Sequence, residues 1–311
     1  MKPQPEKPLN ALTIDVEDWI QSVYDVDAPL TNCFIRNTHA VLDLLGRHKV
    51  HATFFVLGLA AEKSPDLVRA IHAAGHEVQS HGFGHRLIHT QSPAQFREDV
   101  RRSKLLLEDL LGERITGYRA PAFSITRRTL WALDELAEAG FEYDSSIFPV
   151  RMRRYGISGL PIIPYRLRTP EGHELTEIPV CSMRFGPITL PAGGGGYLRT
   201  APGWYTRLAI SRMNETGHPG VLYMHPYELA PREFLDLPTA IPWRTRCQQG
   251  LERKTVAAKL DQLLQDFRFD TITGVLRQNS IAAVFNFTAI DAKPEKLLRA
   301  ATPHISFEHL G

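Results

Sequence analysis

Apolar residues gather along this chain in short runs that alternate with longer amphipathic stretches. Residues 9–16 (LNALTIDV) and 50–57 (VHATFFVL) are β-branched and aromatic and end in polar or Gly positions, the pattern of buried strands. Residues 64–75 read as a helix: Ser64 suits the N-cap, Pro65 the first turn, Val68 and Ile71 share a face, and Gly75 stops it. HEVQSHG (76–82) predicts a strand, and 93–111 a helix presenting Val100, Leu107, Leu110 and Leu111. ITGYRAP then reads as a short strand, TRRTLWALDELAEAG as a helix ending at Gly140, and FEYDSS as another strand.

Strand and helix thus alternate at least four times before residue 146, which predicts a mostly parallel sheet with helices outside, and a barrel as its leading form. Chemistry in such a barrel collects where strands end, and Asp15, His81, Arg119, Asp144 and His225 all fall at predicted strand C-termini. From about 150 to 200 the texture changes to short Pro- and Gly-rich strands (YRLRTP, LTEIPV, PAGGGGYLR), read as an inserted β region. Alternation resumes with a helix near 202–216, a strand at 220–226 and a helix near 253–267. The expected organisation is one domain over 9–290 including that insertion, with terminal extensions at 1–8 and 291–311.

Composition narrows the function classes. With 311 residues, 43% of them hydrophobic and 23% charged, the chain is long and apolar enough to bury a substantial core, which rules out disorder as its main state. Lys+Arg 36 against Asp+Glu 34 leaves a net charge of +2, so no basic field exists to hold nucleic acid. The N-terminal residues show no apolar leader core, and no run approaches the roughly 18–20 apolar residues that span a bilayer, so a cytoplasmic protein without a transmembrane segment is expected. Cys33, Cys181 and Cys247 are odd in number and widely spaced, as reduced thiols would be.

Five clusters carry candidate chemistry. In TIDVEDW, Asp15, Glu17 and Asp18 crowd the end of an apolar strand, and three carboxylates so close call for a cation or a shared proton. In SHGFGHR, His81 and His85 have the i, i+4 spacing that lets two imidazoles share one metal, and a nearby carboxylate completes three ligands with positions left open for water and substrate. Arg119 in GYRAPAFS is placed to hold a carboxylate through two hydrogen bonds. His225 closes an apolar strand in VLYMHPYEL, and Asp144 in YDSS would orient an imidazole if the two met. Taken singly, an acidic surface loop, a surface His pair, a surface salt bridge and a core histidine are the bland readings of these residues.

The order of these motifs resembles the NodB-type polysaccharide deacetylases, carbohydrate esterase family 4. TIDVED is similar to the family's first motif, SHGFGH to its His-x-x-x-His motif, RAPAF to its Arg-x-Pro-aromatic motif, YDSS to the fourth and LYMH to the closing Leu-His motif. Within the family, DVEDW, IPV followed by LPAGGGGYLR, and MHPYEL resemble the subgroup found with exosortase (PEP-CTERM) exopolysaccharide gene clusters, over roughly residues 10–285.

The resemblance implies a distorted (β/α)7 barrel and a metal-dependent hydrolase that removes N-acetyl groups from an aminosugar polysaccharide or its precursor, in exopolysaccharide biosynthesis. It further implies a divalent metal on His81, His85 and Glu17 or Asp18, with zinc expected and cobalt, nickel or iron also suited. Asp15 oriented by Arg119 would be the base, the Ala122 N–H an oxyanion donor, and His225 supported by Asp144 the acid.

Three positions depart from the family pattern. Val16 separates Asp15 from the next acid, and strand alternation slightly favours Glu17 over Asp18 as the ligand. Ala122 stands where an aromatic is usual, with Phe123 one residue later, and Phe148 stands where Trp is common. Gly193–Gly196 lack the Lys-Ser/Thr pair of a phosphate loop and are expected to let backbone approach a sugar or to bend a β segment. The rival readings are a metal-free cyclic amidase of the same fold, a catalytically silent glycan-binding protein, and a non-haem iron oxygenase, whose ligands usually sit on a jelly roll instead.

Overall fold

The computed structural model describes residues 8–287 except 153, 154, 234–240, 280 and 282. The expected extensions at 1–8 and 291–311 lie outside the described residues apart from Pro8. The first half runs β1 (Leu9–Val16), α1 (Cys33–His48), β2 (Thr53–Val56), α2 (Gly58–Lys63), α3 (Pro65–Ala73), β3 (Glu77–Ser80), α4 (Pro93–Leu111), β4 (Gly117–Tyr118), α5 (Trp131–Glu138) and β5 (Tyr143–Asp144). Four strands follow: β6 (Tyr165–Arg168), β7 (Glu174–Glu177), β8 (Ser182–Phe185) and β9 (Ile188–Pro191). The chain then forms α6 (Gly196–Thr200), α7 (Gly203–Glu215), β10 (Val221–Met224), α8 (Trp243–Gly250), α9 (Arg253–Asp266), β11 (Arg268–Asp270), α10 (Ile272–Gln278) and β12 (Val284–Asn286).

The fold is α/β with a mostly parallel central sheet in the order β10-β1-β2-β3-β4-β5-β7-β6-β12, and β11 also pairs with β1. Among the described residues only β6 and β7 run antiparallel within it. Buried on both faces, β1 reads as one apolar run, as parallel strands do. Helix α4 shows how the helices attach: Ser92 and Gln95 close a reciprocal capping box, Phe96, Val100, Ser103 and Leu107 recur on one buried face, and Gly112 at φ 68° ends it.

The region of 150–200 is more than an insertion. β7 is a strand of the main sheet, paired in parallel with β5, while β8 and β9 form a separate hairpin. Past β7 the chain continues towards the other end of the sheet: the Cys181 N–H donates to the Val221 carbonyl, and Tyr223 and Gly195 N–H groups donate to the carbonyls of Gly193 and Tyr223. These bonds link the stretch after β7 and the glycine run to β10, at the opposite end of the sheet.

PAGGGGYLR is not a strand, as the pattern had suggested: Gly194 makes an isolated parallel bridge to Tyr223, and α6 begins at Gly196. A Cβ on Gly194 would overlap the Tyr223 carbonyl and one on Gly195 the Tyr223 ring, at φ 134° and 53°. The glycines therefore permit backbone to press against backbone, which is the reason a side chain is absent there. Among the described residues no helix is long and apolar enough to cross a membrane. Cys33 and Cys181 are buried and Cys247 exposed, all as free thiols.

Candidate active site

The predicted strand ends do converge. Asp15 is the penultimate residue of β1, His81 follows β3, Arg119 follows β4, Asp144 ends β5, and His225 follows β10. Beyond Val16 the pairing with β2 stops, and the next two acidic residues separate. Asp18 accepts from the Ile20 N–H (3.1 Å) and the Thr31 N–H (2.8 Å) and from the Thr31 hydroxyl, so it pins the loop after β1. Glu17 turns inward, where one oxygen lies 2.8 Å from His81 Nε2 and 2.9 Å from His85 Nε2.

All three of these residues are buried, and their ligand atoms lie within 4.8 Å of one another. Burial raises the Glu17 carboxyl, but His85, His225 and the hydrogen bonds with His81 and His85 outweigh it and hold the group well below its ordinary value. The tautomer of His81 follows from its other nitrogen: Nδ1 is 2.8 Å from the Arg119 carbonyl, which only accepts, so Nδ1 carries hydrogen. In neutral His81 the bare Nε2 then faces a carboxylate oxygen, and that contact needs a cation between them, either a proton or a metal. Two imidazoles and one carboxylate are a donor set that fits a divalent transition metal.

The loop between the two histidines is held from helix α4 by a residue that the motif reading missed. Asp99 accepts from the N–H groups of Phe83 (2.9 Å) and Gly84 (3.4 Å), and Gly82 at φ 75° leaves no Cβ to crowd its carboxylate. His85 itself takes left-handed backbone at φ 58°. Asp99 carries no local signal in the sequence, since only the folding of α4 against β3 brings it there.

Arg119 is fully buried and every branch of its guanidinium is engaged. It donates to Asp15 and to the Thr13 hydroxyl (both 2.8 Å) and to the carbonyl and hydroxyl of Ser145 (3.1 and 2.8 Å), over the face of Phe55 at 4.2 Å. Asp15 is thereby fixed beside Glu17, and Asp15, Glu17 and His225 form a second cluster of potential ligand atoms.

The expected contact between Asp144 and His225 is not formed. Asp144 accepts from the Ser146 hydroxyl and opposes Glu177 across the β5–β7 pairing. Burial raises the Asp144 carboxyl to about 6, against hydrogen bonds from Glu177 and Ser146, and burial beside Asp144 raises Glu177 well above its ordinary value. The β5–β7 register and the Ser146 contact thus tie Asp144 to the sheet and away from His225. The acidic neighbours of His225 are Glu17 and Glu228, each 3.8 Å from a ring nitrogen. Desolvation lowers the imidazole, but Glu17 and Glu228 more than compensate and raise it to about 9.

Around these groups, rings form a continuous wall. Tyr223 packs on His225, Phe123 on Tyr223, Phe148 on Phe123, and Tyr155 stacks on Phe148 with centroids 5.7 Å apart. Ala122, exposed, and Phe123, buried, are successive left-handed residues (φ 49° and 53°), a strained turn of the kind that clusters at functional sites.

Fold and site together define an α/β protein with a buried carboxylate–imidazole centre at the strand ends of a parallel sheet. Comparison with known proteins shows what the chain is similar to. Residues 5–143 match the family model described as "Polysaccharide deacetylase", and residues 145–277 match a domain of unknown function (DUF3473). The first part of the chain is thus similar to polysaccharide deacetylase domains.

Among curated proteins, the chain is similar to a peptidoglycan-N-acetylglucosamine deacetylase of Bacillus cereus, 37% identical over 28% of this chain and 29% of that one. It is also similar to a chitooligosaccharide deacetylase of Sinorhizobium fredii, 44% identical over 22% of this chain and 30% of the other. The chain thus spans less than half the length of these curated relatives. In fold it resembles a Mycobacterium smegmatis protein given as a polysaccharide deacetylase, with a TM-score of 0.61 at 20% identity, covering 91% of this chain and 94% of that one.

Proposed function

We propose that this protein is a metal-dependent hydrolase that removes N-acetyl groups from an aminosugar polysaccharide or its precursor. The observation that carries the reading is the single Glu17 oxygen shared between His81 Nε2 and His85 Nε2 at 2.8 and 2.9 Å, beside the Asp15–Arg119 pair. Glu17, His81 and His85 would hold a divalent ion, with zinc first and cobalt, nickel or iron also suited to the donors. Such an ion supplies polarisation of the acetyl carbonyl and a lowered pKa for water.

The remaining steps belong to the chain's own groups. Asp15, its carboxylate held by Arg119, takes a proton from the water that attacks the acetyl carbon. The Ala122 N–H donates to the carbonyl oxygen as it becomes anionic. As the C–N bond breaks, His225 gives its proton to the departing nitrogen, leaving acetate and a free amine. The motifs DVEDW, LPAGGGGYLR and MHPYEL support a place in exopolysaccharide synthesis.

The test is elemental analysis of protein purified without added metal, with an acetate-release assay on N-acetylglucosamine oligomers. Bound divalent metal near one equivalent, with activity lost on chelation and regained with zinc, is the expected result. Acetate release that survives complete removal of metal would overturn metal dependence, and no release by the loaded protein from any N-acetylated oligomer would overturn the activity.

A further inference from the structure

With Asp144 committed to Glu177, the imidazole of His225 needs another orienting group. Its Nδ1 is buried and has no hydrogen-bond partner. Beside it stands Glu228, also buried, with Oε1 3.8 Å from Nδ1 and Oε2 accepting from the backbone N–H of His225 at 3.4 Å. The ring plane is set by Tyr227, which stacks on it at 4.7 Å and 7°. Nε2 on the opposite edge faces Glu17 at 3.8 Å, the side of the candidate metal centre.

We infer that Glu228 is the positioning residue of His225, a role that rests on the reading of His225 as proton donor to the amine. The arrangement is a buried carboxylate behind Nδ1, a stacked ring fixing the plane, and Nε2 aimed at the reacting atoms. Glu228 accepts a hydrogen bond from the Nδ1–H, so the hydrogen the ring can give up is the one on Nε2. When that proton passes to the departing nitrogen, the other hydrogen stays on Nδ1, hydrogen-bonded to Glu228, and the neutral ring is left in a single tautomer. The gap of 3.8 Å fits a contact that tightens when substrate fills the site, as catalytic hydrogen bonds often do. The short Pro226–Leu229 helical turn supplies the geometry, since it places Glu228 three residues after His225 and folds its carboxylate back under the imidazole.

A purely structural role, capping that turn, makes a different forecast. Glu228→Gln keeps the shape and one acceptor oxygen, and Glu228→Asp keeps the charge on a shorter arm. Both are compared with His225→Ala on an N-acetylated oligomer and on 4-nitrophenyl acetate, whose leaving group needs no proton. Ring nitrogen NMR of His225 in metal-free, 15N-histidine-labelled protein, recorded at a pH above 9 where the ring is neutral and has a tautomer, adds a readout that turn capping would not move.

The expected result for Glu228→Gln is a kcat on the oligomer lower by about 10–100-fold, the usual scale for an orienting partner. Its KM and ester hydrolysis should stay within about 2-fold, with the imidazole shifts moving from one tautomer to a mixture; Glu228→Asp should recover part of the loss. Equal losses on amide and ester, or unchanged tautomer shifts in folded Glu228→Gln, would overturn the role of Glu228 alone, provided His225→Ala shows the selective amide defect. A His225→Ala variant with equal defects on both substrates would remove the proton donor itself, and the inference with it.

Discussion

Glu17 and Asp18 are neighbours of the same chemistry with opposite fates. One carboxylate bridges two imidazoles, and the other is saturated by Ile20 and Thr31. At this scale the expected outcome is a clean separation. Glu17→Gln should weaken zinc binding by more than about 100-fold, beyond the roughly 10–100-fold of an outer-shell partner. Asp18→Asn should keep zinc affinity within about 10-fold and instead lose on the order of 1–3 kcal/mol of stability, because two N–H groups and a hydroxyl lose a charged acceptor. Competition titration against a chromophoric chelator, with thermal melts of the same samples, measures both, and the reverse pattern would assign the ligand to Asp18.

Strand β10 brings both the ring of Tyr223 and the imidazole of His225 to the site, and its outer edge is held by the glycine run instead of a regular strand. The three glycines that touch it, Gly193, Gly194 and Gly195, are not interchangeable with Gly196, which does not. Gly194→Ala would drive a methyl group into the Tyr223 carbonyl at a φ that side chains rarely adopt, and a loss on the order of 3 kcal/mol or more is expected. Gly196 meets nothing closer than the Arg199 guanidinium at 3.8 Å, so Gly196→Ala should fall within about 0.5 kcal/mol of the parent. Urea unfolding of the two variants checks the pair; equal stabilities would mean that the close packing of the run on Tyr223 does not hold β10 in place.

Across the whole molecule, the boundary between the two family matches falls at residues 143–145, yet the sheet crosses it. β5 pairs with β7, β1 pairs with β10 and β11, and the site takes Asp15, Glu17, His81, His85 and Arg119 from one part and His225 and Glu228 from the other. Asp144 and Glu177 sit astride that boundary as a buried pair. Both carboxyls are raised in the folded protein, so the native state binds more protons than the unfolded chain. Their contribution is therefore fullest below the unfolded value near 4 and is lost as pH climbs through about 6, on the order of 3 kcal/mol for Asp144. Glu177→Gln relieves the repulsion, and its stability profile between pH 4 and 7 should be flatter than that of the parent. Thermal scans across that range test this, and parallel profiles would show that the two carboxyls are not coupled.

The alternation of apolar runs with amphipathic stretches was enough for the parallel α/β class, because the periods of strand and helix burial are local. The strand-end placement of Asp15, His81, Arg119 and His225 was legible for the same reason, and the i, i+4 histidine spacing with an acidic cluster already pointed to a metal-type donor set. Helices α8 and α10 and strands β11 and β12 lie outside that pattern, and the glycine run reads as a strand although its pairing is with distant Tyr223. Which acid meets which imidazole depended on contacts between residues far apart in the chain. The turn after Val16 separates Glu17 from Asp18, the β5–β7 pairing gives Asp144 to Glu177, and the turn after His225 brings Glu228 beneath the ring. Local sequence sets the period of each element, but a buried carboxylate takes its partner from whatever the packed sheet places within hydrogen-bond reach.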